Sequence, residues 1–157
     1  MTFPVLEGKV AIVTGSAMGM GEATAKLFAE AMAQVVVADF NEEKGKAVVE
    51  EINAAGGQAA FVKVDVSNSE QVQAMVKFAV DTYGKLDVIV NNAALTPDDK
   101  PADQFDEEYW DRLMAVDLKG VALCQKYALQ QMKAQGNGGS IINISSVSGF
   151  RPQPDTI

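Results

Sequence analysis

The feature that most constrains this chain is a set of short runs that stay apolar at consecutive positions. Lys9–Thr14 (KVAIVT), Gln34–Asp39 (QVVVAD) and Leu86–Asn91 (LDVIVN) do not alternate apolar with polar residues. A strand with one wet face alternates with period two, whereas a strand covered on both faces does not. Gln58–Val64 and Ser140–Ser145 bring the β-rich runs to five. Helical stretches separate them: Met20–Ala33, Asn41–Ala55, one that opens at Ser67 and closes at Gly84, and a long one over Phe105–Gln135 that stops at Gly136, Gly138 and Gly139. In the third of these, Val72, Met75, Val76, Ala79 and Val80 fall at i, i+3, i+4, i+7 and i+8, which is one helical face. Ser67 and Glu70 have capping-box spacing, and Gly45 is expected to weaken the second helix. Strand–helix alternation of this kind predicts an α/β fold: a doubly wound parallel sheet with helices on both faces, in three layers. The length of 157 residues suits a single domain over 1–157, with no repeat or linker. The stretch with Pro97 and Pro101, and the segment Gly149–Ile157 with Pro152 and Pro154, are predicted loops.

Composition removes several function classes. Thirteen basic against 21 acidic residues give a net charge of −8, a surface that repels phosphate backbones, so nucleic acid is not an expected partner. No window of eighteen uncharged apolar residues predicts a membrane span. Met1–Gly8 lacks the basic-then-apolar pattern of a secretory signal, so a cytoplasmic setting is expected. With one cysteine, Cys124, and no histidine, an internal disulfide, a zinc cluster and a Ser-His-Asp triad all lack their parts. A general base here has to be a carboxylate, Lys, Tyr or Cys. Asp98, Asp99, Asp103, Asp106, Glu107, Glu108 and Asp111 read as solvated charge at a helix start rather than a metal site, and no metal is expected. Trp110, Tyr83, Tyr109 and Tyr127 are expected to pack, and Cys124, near Val121 and Ala128, is expected to be a buried small hydrophobe.

The turn after the first strand carries the chemistry. Thr14-Gly15-Ser16-Ala17-Met18-Gly19-Met20-Gly21 joins a strand to a helix start, where free N–H groups and the helix dipole favour a phosphate. Gly15 suits the tight turn, Gly19 a close approach of backbone to a pyrophosphate, and Gly21 close helix–sheet packing. The spacing is G-x-x-x-G-x-G. Asp39 closes the second strand, where an acid accepts from the ribose hydroxyls of an adenosine and repels a 2′-phosphate. Neither Met18 nor Phe40 supplies a cation, so NAD is expected over NADP.

Asn91-Asn92-Ala93-Ala94 follows the fourth strand, and Ile142-Asn143-Ile144-Ser145-Ser146-Val147-Ser148-Gly149 contains the fifth. Together with TGSAMGMG, Asp39 and the pair Asp65-Val66, these segments resemble the short-chain dehydrogenase/reductase family, from Gly8 to the end of the chain. The resemblance implies a Rossmann-like sheet and hydride transfer between nicotinamide and an alcohol or carbonyl. It implies that Gly15, Gly19, Met20 and Gly21 line the pyrophosphate, and that Asp39 and Phe40 hold the adenosine ribose. It places Asp65 and Val66 beside the adenine, and Asn92, Ala93 and Ala94 beside adenosine and the central strand. Ser16, Met18 and Ile144 are counted with the cofactor contacts. Ser146, with Ser145 as its neighbour and competitor, matches the serine that hydrogen-bonds the substrate oxygen.

Two departures stand out. Asp117, in Val116-Asp117-Leu118-Lys119-Gly120, replaces the family's usual Asn of a water-linked proton relay, and an ionised Asp cannot donate. The Tyr-x-x-x-Lys element, counted from Ser146, falls beyond Ile157. The resemblance therefore implies a fragment of a longer oxidoreductase, its sheet incomplete at the C-terminal end. Its partners would be a secondary alcohol or ketone and, at full length, further copies in a dimer or tetramer. The alternatives are a non-catalytic dinucleotide-binding module and a Rossmann-like methyltransferase.

Overall fold

A computed structural model describes residues 4–96 and 100–151. The expectations on Pro97, Asp98, Asp99, Pro152 and Pro154 lie outside the described residues. Five strands form one sheet: β1 (Val10–Thr14), β2 (Gln34–Asp39), β3 (Gln58–Lys63), β4 (Val88–Asn91) and β5 (Ser140–Asn143). They stand in the order β3-β2-β1-β4-β5, and every pairing is parallel. The helices are α1 (Gly19–Glu30), α2 (Glu42–Ala54), α3 (Ser69–Tyr83), α4 (Glu107–Met114) and α5 (Val121–Gln135).

The consecutive apolar residues of the strands feed two cores. Val10, Ile12, Val36 and Ala38 face one side and pack with Val72, Met75, Val76 and Ala79 of α3 and Cys124, Ala128 and Met132 of α5. Ala11, Val13, Val35 and Val37 face the other and pack with Ala25 and Ala29 of α1 and Val48 and Ile52 of α2. Three layers follow directly, because a strand apolar at every position has two dry faces to cover. The chain winds outward from β1 through β2 to β3, then returns to the other side of β1 for β4 and β5. That reversal leaves the C-terminal ends of β1 and β4 side by side, at the opening where such sheets take ligands.

Four expectations need correction. The cap of α3 is Asn68, whose side-chain oxygen accepts from the Glu70 and Gln71 amides at 3.0 Å each. Ser67 lies one residue before the capping position, because α3 starts at Ser69, and its hydroxyl instead donates to Asp65 Oδ1 at 2.7 Å. Gly45 is a packing requirement rather than a defect: a Cβ there would lie 2.1 Å from the Phe61 ring of β3. The long, mainly helical stretch starts two residues late, at Glu107, and then runs unbroken to Gln135, but not as one α-helix. A 3-10 turn at Ala102–Gln104 precedes α4, and a π turn over Ala115–Gly120 separates α4 from α5. There Asp117 Oδ1 accepts from the Leu95 amide at 2.9 Å, and a Cβ on Gly120 would lie 2.9 Å from Val66 Cγ2. Two outside contacts thus fix the register of that extra residue. Finally, β5 ends at Asn143, two residues early. Ile144 still donates its amide to the Asn91 carbonyl (2.9 Å), after which the chain bends into a 3-10 turn at Val147–Gly149.

Candidate functional site

The residues expected to meet cofactor or substrate lie at or beyond the C-terminal end of a strand, apart from Asp117 in the helical stretch that bonds to the loop after β4. The Gly-rich turn leaves β1, Phe40 follows β2, Asp65 and Val66 follow β3, Asn92, Ala93 and Ala94 follow β4, and Ser145 and Ser146 follow β5. Because the sheet is all parallel, one edge gathers all five segments.

The turn is built tightly. Gly15 sits at φ +65°, and a Cβ there would lie 2.7 Å from Ala93 Cα. At Gly21 a Cβ would lie 2.1 Å from the Gly15 carbonyl oxygen. Gly19, at φ +59°, has open space where a Cβ would stand. The first two are therefore glycines because the protein fills the space, while the third faces outward with room for a ligand. Ser16 is fully buried, its hydroxyl donating to the Val13 carbonyl (2.7 Å) and accepting from the Ala38 amide (3.0 Å). It ties the turn to β1 and β2 and offers no side-chain group outward.

The start of α1 differs from its neighbours. α2, α3 and α4 are capped by the side chains of Asn41, Asn68 and Asp106. At α1 the capping position is Met18, which makes no such bond. A helix start left without a side-chain acceptor, flanked by an open Gly19 and by exposed Met18 and Met20, fits an incoming phosphate group.

Asp39 is aimed at the same turn. Its Oδ2 accepts from the Ala17 amide and its Oδ1 from the Asn41 amide, both at 2.8 Å. The carboxylate is thus held rigidly, with lone pairs left over for further donors. Phe40 beside it is 70% exposed. In register with Asp39 on β3 stands Lys63, whose ammonium lies 5.8 Å from the centre of the Phe40 ring and 3.7 Å from Glu42 Oε2. Lys63 is a cation that neither Met18 nor Phe40 supplies, and strand register rather than sequence proximity places its backbone opposite Asp39. The Asp65 side chain is turned inward on its own loop, accepting from the Ser67 amide (2.9 Å) and hydroxyl.

At the reversal point, Thr14 and Asn92 join the two strand ends. The Thr14 hydroxyl accepts from the Asn92 and Ala93 amides, at 3.0 and 3.1 Å, and Asn92 Nδ2 donates to the Thr14 and Gly15 carbonyls. One strand further, Asn91 donates from Nδ2 to Asn143 Oδ1 (2.8 Å), and its own Oδ1 is buried with no protein donor. Asp117 holds the loop after β4 through the Leu95 amide. Burial raises its carboxyl pKa above the usual range, partly offset by that amide. Ser146 is exposed, its hydroxyl accepting from the Ser148 amide (3.2 Å) and lying 3.3 Å from Ser148 Oγ.

The remaining candidates fall elsewhere. The Tyr127 hydroxyl pairs with Ser69 (2.7 Å) and that of Tyr109 donates to the Thr96 carbonyl (2.5 Å). Trp110 packs edge-on against Phe105, with ring centres 5.8 Å apart. Cys124 is 1% exposed and burial pushes its thiol up to about 12, so it is an inert packing group, as expected. Among the described residues no cluster of acids, cysteines or histidines could hold a metal ion, and no helix is long and apolar enough to cross a membrane. A groove of about 420 Å³, lined by Lys26, Ala29, Met32, Glu51, Ile52 and Gly57 among others, lies at the C-terminal ends of α1 and α2, away from these residues.

Comparison with known proteins agrees with this geometry. The profile of short chain dehydrogenases matches residues 9–157. A short chain dehydrogenase/reductase of Aspergillus oryzae, astE, is 51% identical over 149 residues, covering 94% of this chain and 57% of that protein. A 3beta-hydroxysteroid dehydrogenase of Eggerthella lenta is 42% identical over 147 residues, covering 94% of this chain and 56% of that protein. The crystal structure of a metagenomic short-chain oxidoreductase in complex with NADP superposes with a TM-score of 0.89 at 38% identity, covering 97% of this chain and 68% of the other. The chain thus spans little more than half the length of the curated relatives it matches.

Proposed function

This chain belongs to the short chain dehydrogenase family, and from that premise we propose that it is the dinucleotide-binding part of an NAD-dependent oxidoreductase acting on a secondary alcohol or ketone. The observation that carries the reading is the convergence of an uncapped helix start, an open Gly19 and a rigidly held Asp39 on one edge of the sheet. The backbone of Gly15, Met18, Gly19, Met20 and Gly21 would hold the pyrophosphate, with Ser16 fixing the turn from beneath. Asp39 and Phe40 would hold the adenosine ribose, Asp65 and Val66 the adenine side, and Asn92, Ala93, Ala94 and Ile144 the strand ends beneath the cofactor.

When bound, the nicotinamide supplies or accepts the hydride. Ser146 orients the substrate oxygen by a hydrogen bond, and Asp117 holds the neighbouring strand-exit loop at Leu95. In the whole protein we place the proton transfer on a Tyr-x-x-x-Lys element following Ile157, and we expect a cytoplasmic homo-oligomer. The 3beta-hydroxysteroid dehydrogenase relative favours a secondary alcohol, and Asp39 favours NAD.

A second reading, a dinucleotide-binding module without catalysis, is favoured by one observation: the hydroxyls of Tyr109 and Tyr127 are already committed to Thr96 and Ser69. Calorimetric titration separates the possibilities. Binding of NADH in the micromolar range, tighter than NADPH and with no heat from S-adenosylmethionine, supports the proposal. Heat from S-adenosylmethionine alone overturns it. Oxidation of a secondary alcohol that Ser146→Ala slows by tenfold or more supports the enzyme, whereas binding without turnover in the whole protein supports the module.

A further inference from the structure

The C-terminal ends of β2 and β3 carry a charge arrangement that the family resemblance does not explain. Asp39 and Lys63 are register partners on adjacent parallel strands, so a basic residue leaves the same face of the sheet beside the carboxylate that would meet the adenosine ribose. The Lys63 ammonium is engaged. It lies against the Phe40 ring and 3.7 Å from Glu42 Oε2, at the first turn of α2. Glu42 is oriented from its other side by Lys46, whose ammonium donates to Oε1 at 2.7 Å. The two lysines, Lys46 before Lys63, hold the Glu42 carboxyl below its ordinary pKa. Lys63 and Glu42 are both about half exposed, at 56% and 47% for the side chains. An exposed pair of this kind contributes modestly, so Glu42 competes with any other anion for the Lys63 ammonium and biases a choice between ligands by a few-fold at most.

A 2′-phosphate on the ribose would be repelled by Asp39 and attracted by Lys63 in proportion to how far that ammonium is left free. We propose that Glu42 is a specificity-determining residue, which selects the unphosphorylated dinucleotide by holding the Lys63 ammonium away from a 2′-phosphate. Asp39 then acts by direct repulsion and Glu42 by withholding the nearby counter-charge. Glu42 acts through Lys63, so it positions rather than contacts. The inference rests on the proposed dinucleotide site and adds to it the residue pair that decides between its two forms.

The test is the ratio of dissociation constants for NADPH and NADH, measured by titration of the nicotinamide fluorescence. Glu42→Gln is expected to shift the ratio toward NADPH by about fivefold. Glu42→Gln with Lys63→Gln is expected to return it to the wild-type value. Glu43→Gln removes the same charge one residue along and is expected to change the ratio less than about twofold. Thermal unfolding of each variant shows whether it is folded, and the ratio is insensitive to a uniform loss of active protein. The proposal is overturned if Glu42→Gln leaves the ratio unmoved, if Glu43→Gln moves it as far, or if the gain survives the loss of Lys63, which would assign it to Lys46. A wild-type protein that binds neither dinucleotide overturns the site itself, a result distinct from binding without a selective shift.

Discussion

β1 and β5 are both short parallel strands in one sheet, yet they occupy opposite circumstances. All five residues of β1 are buried, with α1 and α2 packed on one face and α3 and α5 on the other. β5 has four residues of which one is half-buried and three exposed, and Ile142 is 39% exposed. Their crossovers differ in the same sense. The first passes from β1 to α1 through a turn in which Gly15 and Gly21 lie against backbone. The later one reaches β5 through a 3-10 turn, two helices and a π turn, and its closing glycine touches only a side chain. The first crossover is fixed by backbone contacts, whereas β5 is the edge strand of this sheet, in a chain that spans little more than half the length of its curated relatives.

The sharpest way to break this contrast is at the glycines. Gly21→Ala puts a methyl 2.1 Å from the Gly15 oxygen and 2.8 Å from its carbon, where no rotamer gives relief. We expect it to cost about 3 kcal/mol or more and to abolish dinucleotide binding. Gly139→Ala meets Met132 Sδ at 2.4 Å, but that side chain can swing away. About 1–2 kcal/mol is expected there, with binding retained. Urea unfolding of the two variants checks the difference, and equal losses would remove it.

A smaller gap is expected between strand residues. Ile12→Ala, in a fully buried position, is expected to cost about 3–4 kcal/mol. Ile142→Ala on β5 is expected to cost about 1 kcal/mol or less, in proportion to the area it hides. A comparable cost at the two sites would show that β5 is covered in the folded protein.

The smallest effect is a matter of pH at the π turn. Burial raises the Asp117 carboxyl, so the folded state holds that proton more tightly than the unfolded chain. The stabilising contribution is complete below the ordinary value of 3.8 and is lost as pH rises through the raised one. Asn at 117 keeps an oxygen for the Leu95 amide and carries no charge. Asp117→Asn should therefore gain stability relative to wild type as pH rises from 3.5 toward 7, by less than about 1 kcal/mol because the side chain is substantially solvated. A constant difference across that range would show that the charge is not felt.

Legibility in the sequence followed the range of the interactions. The strands, the Gly-rich turn and the order of the site segments were readable because each depends on neighbours within a few positions. Element ends differ by one to three residues, the largest at the end of α1, and the capping-box spacing points to Ser67 although the adjacent Asn68 is the residue that caps α3. Gly45 looked like a helix defect until Phe61 of β3 was seen against it. The π turn within the long helical stretch has no local signal either: the Asp117–Leu95 bond and the close approach of Gly120 to Val66 join positions more than twenty and more than fifty residues apart in the chain.

By itself, then, the succession of apolar runs and turn residues determined that this protein is a parallel α/β sheet with a Gly-rich turn between its first strand and first helix, since burial pattern and turn chemistry are local properties of the chain. Only the tertiary structure decided which charges neighbour the C-terminal end of β2. Lys63 stands opposite Asp39 through strand register and pairs with Glu42 at the first turn of α2, and neither relation exists until β2, β3 and α2 are assembled.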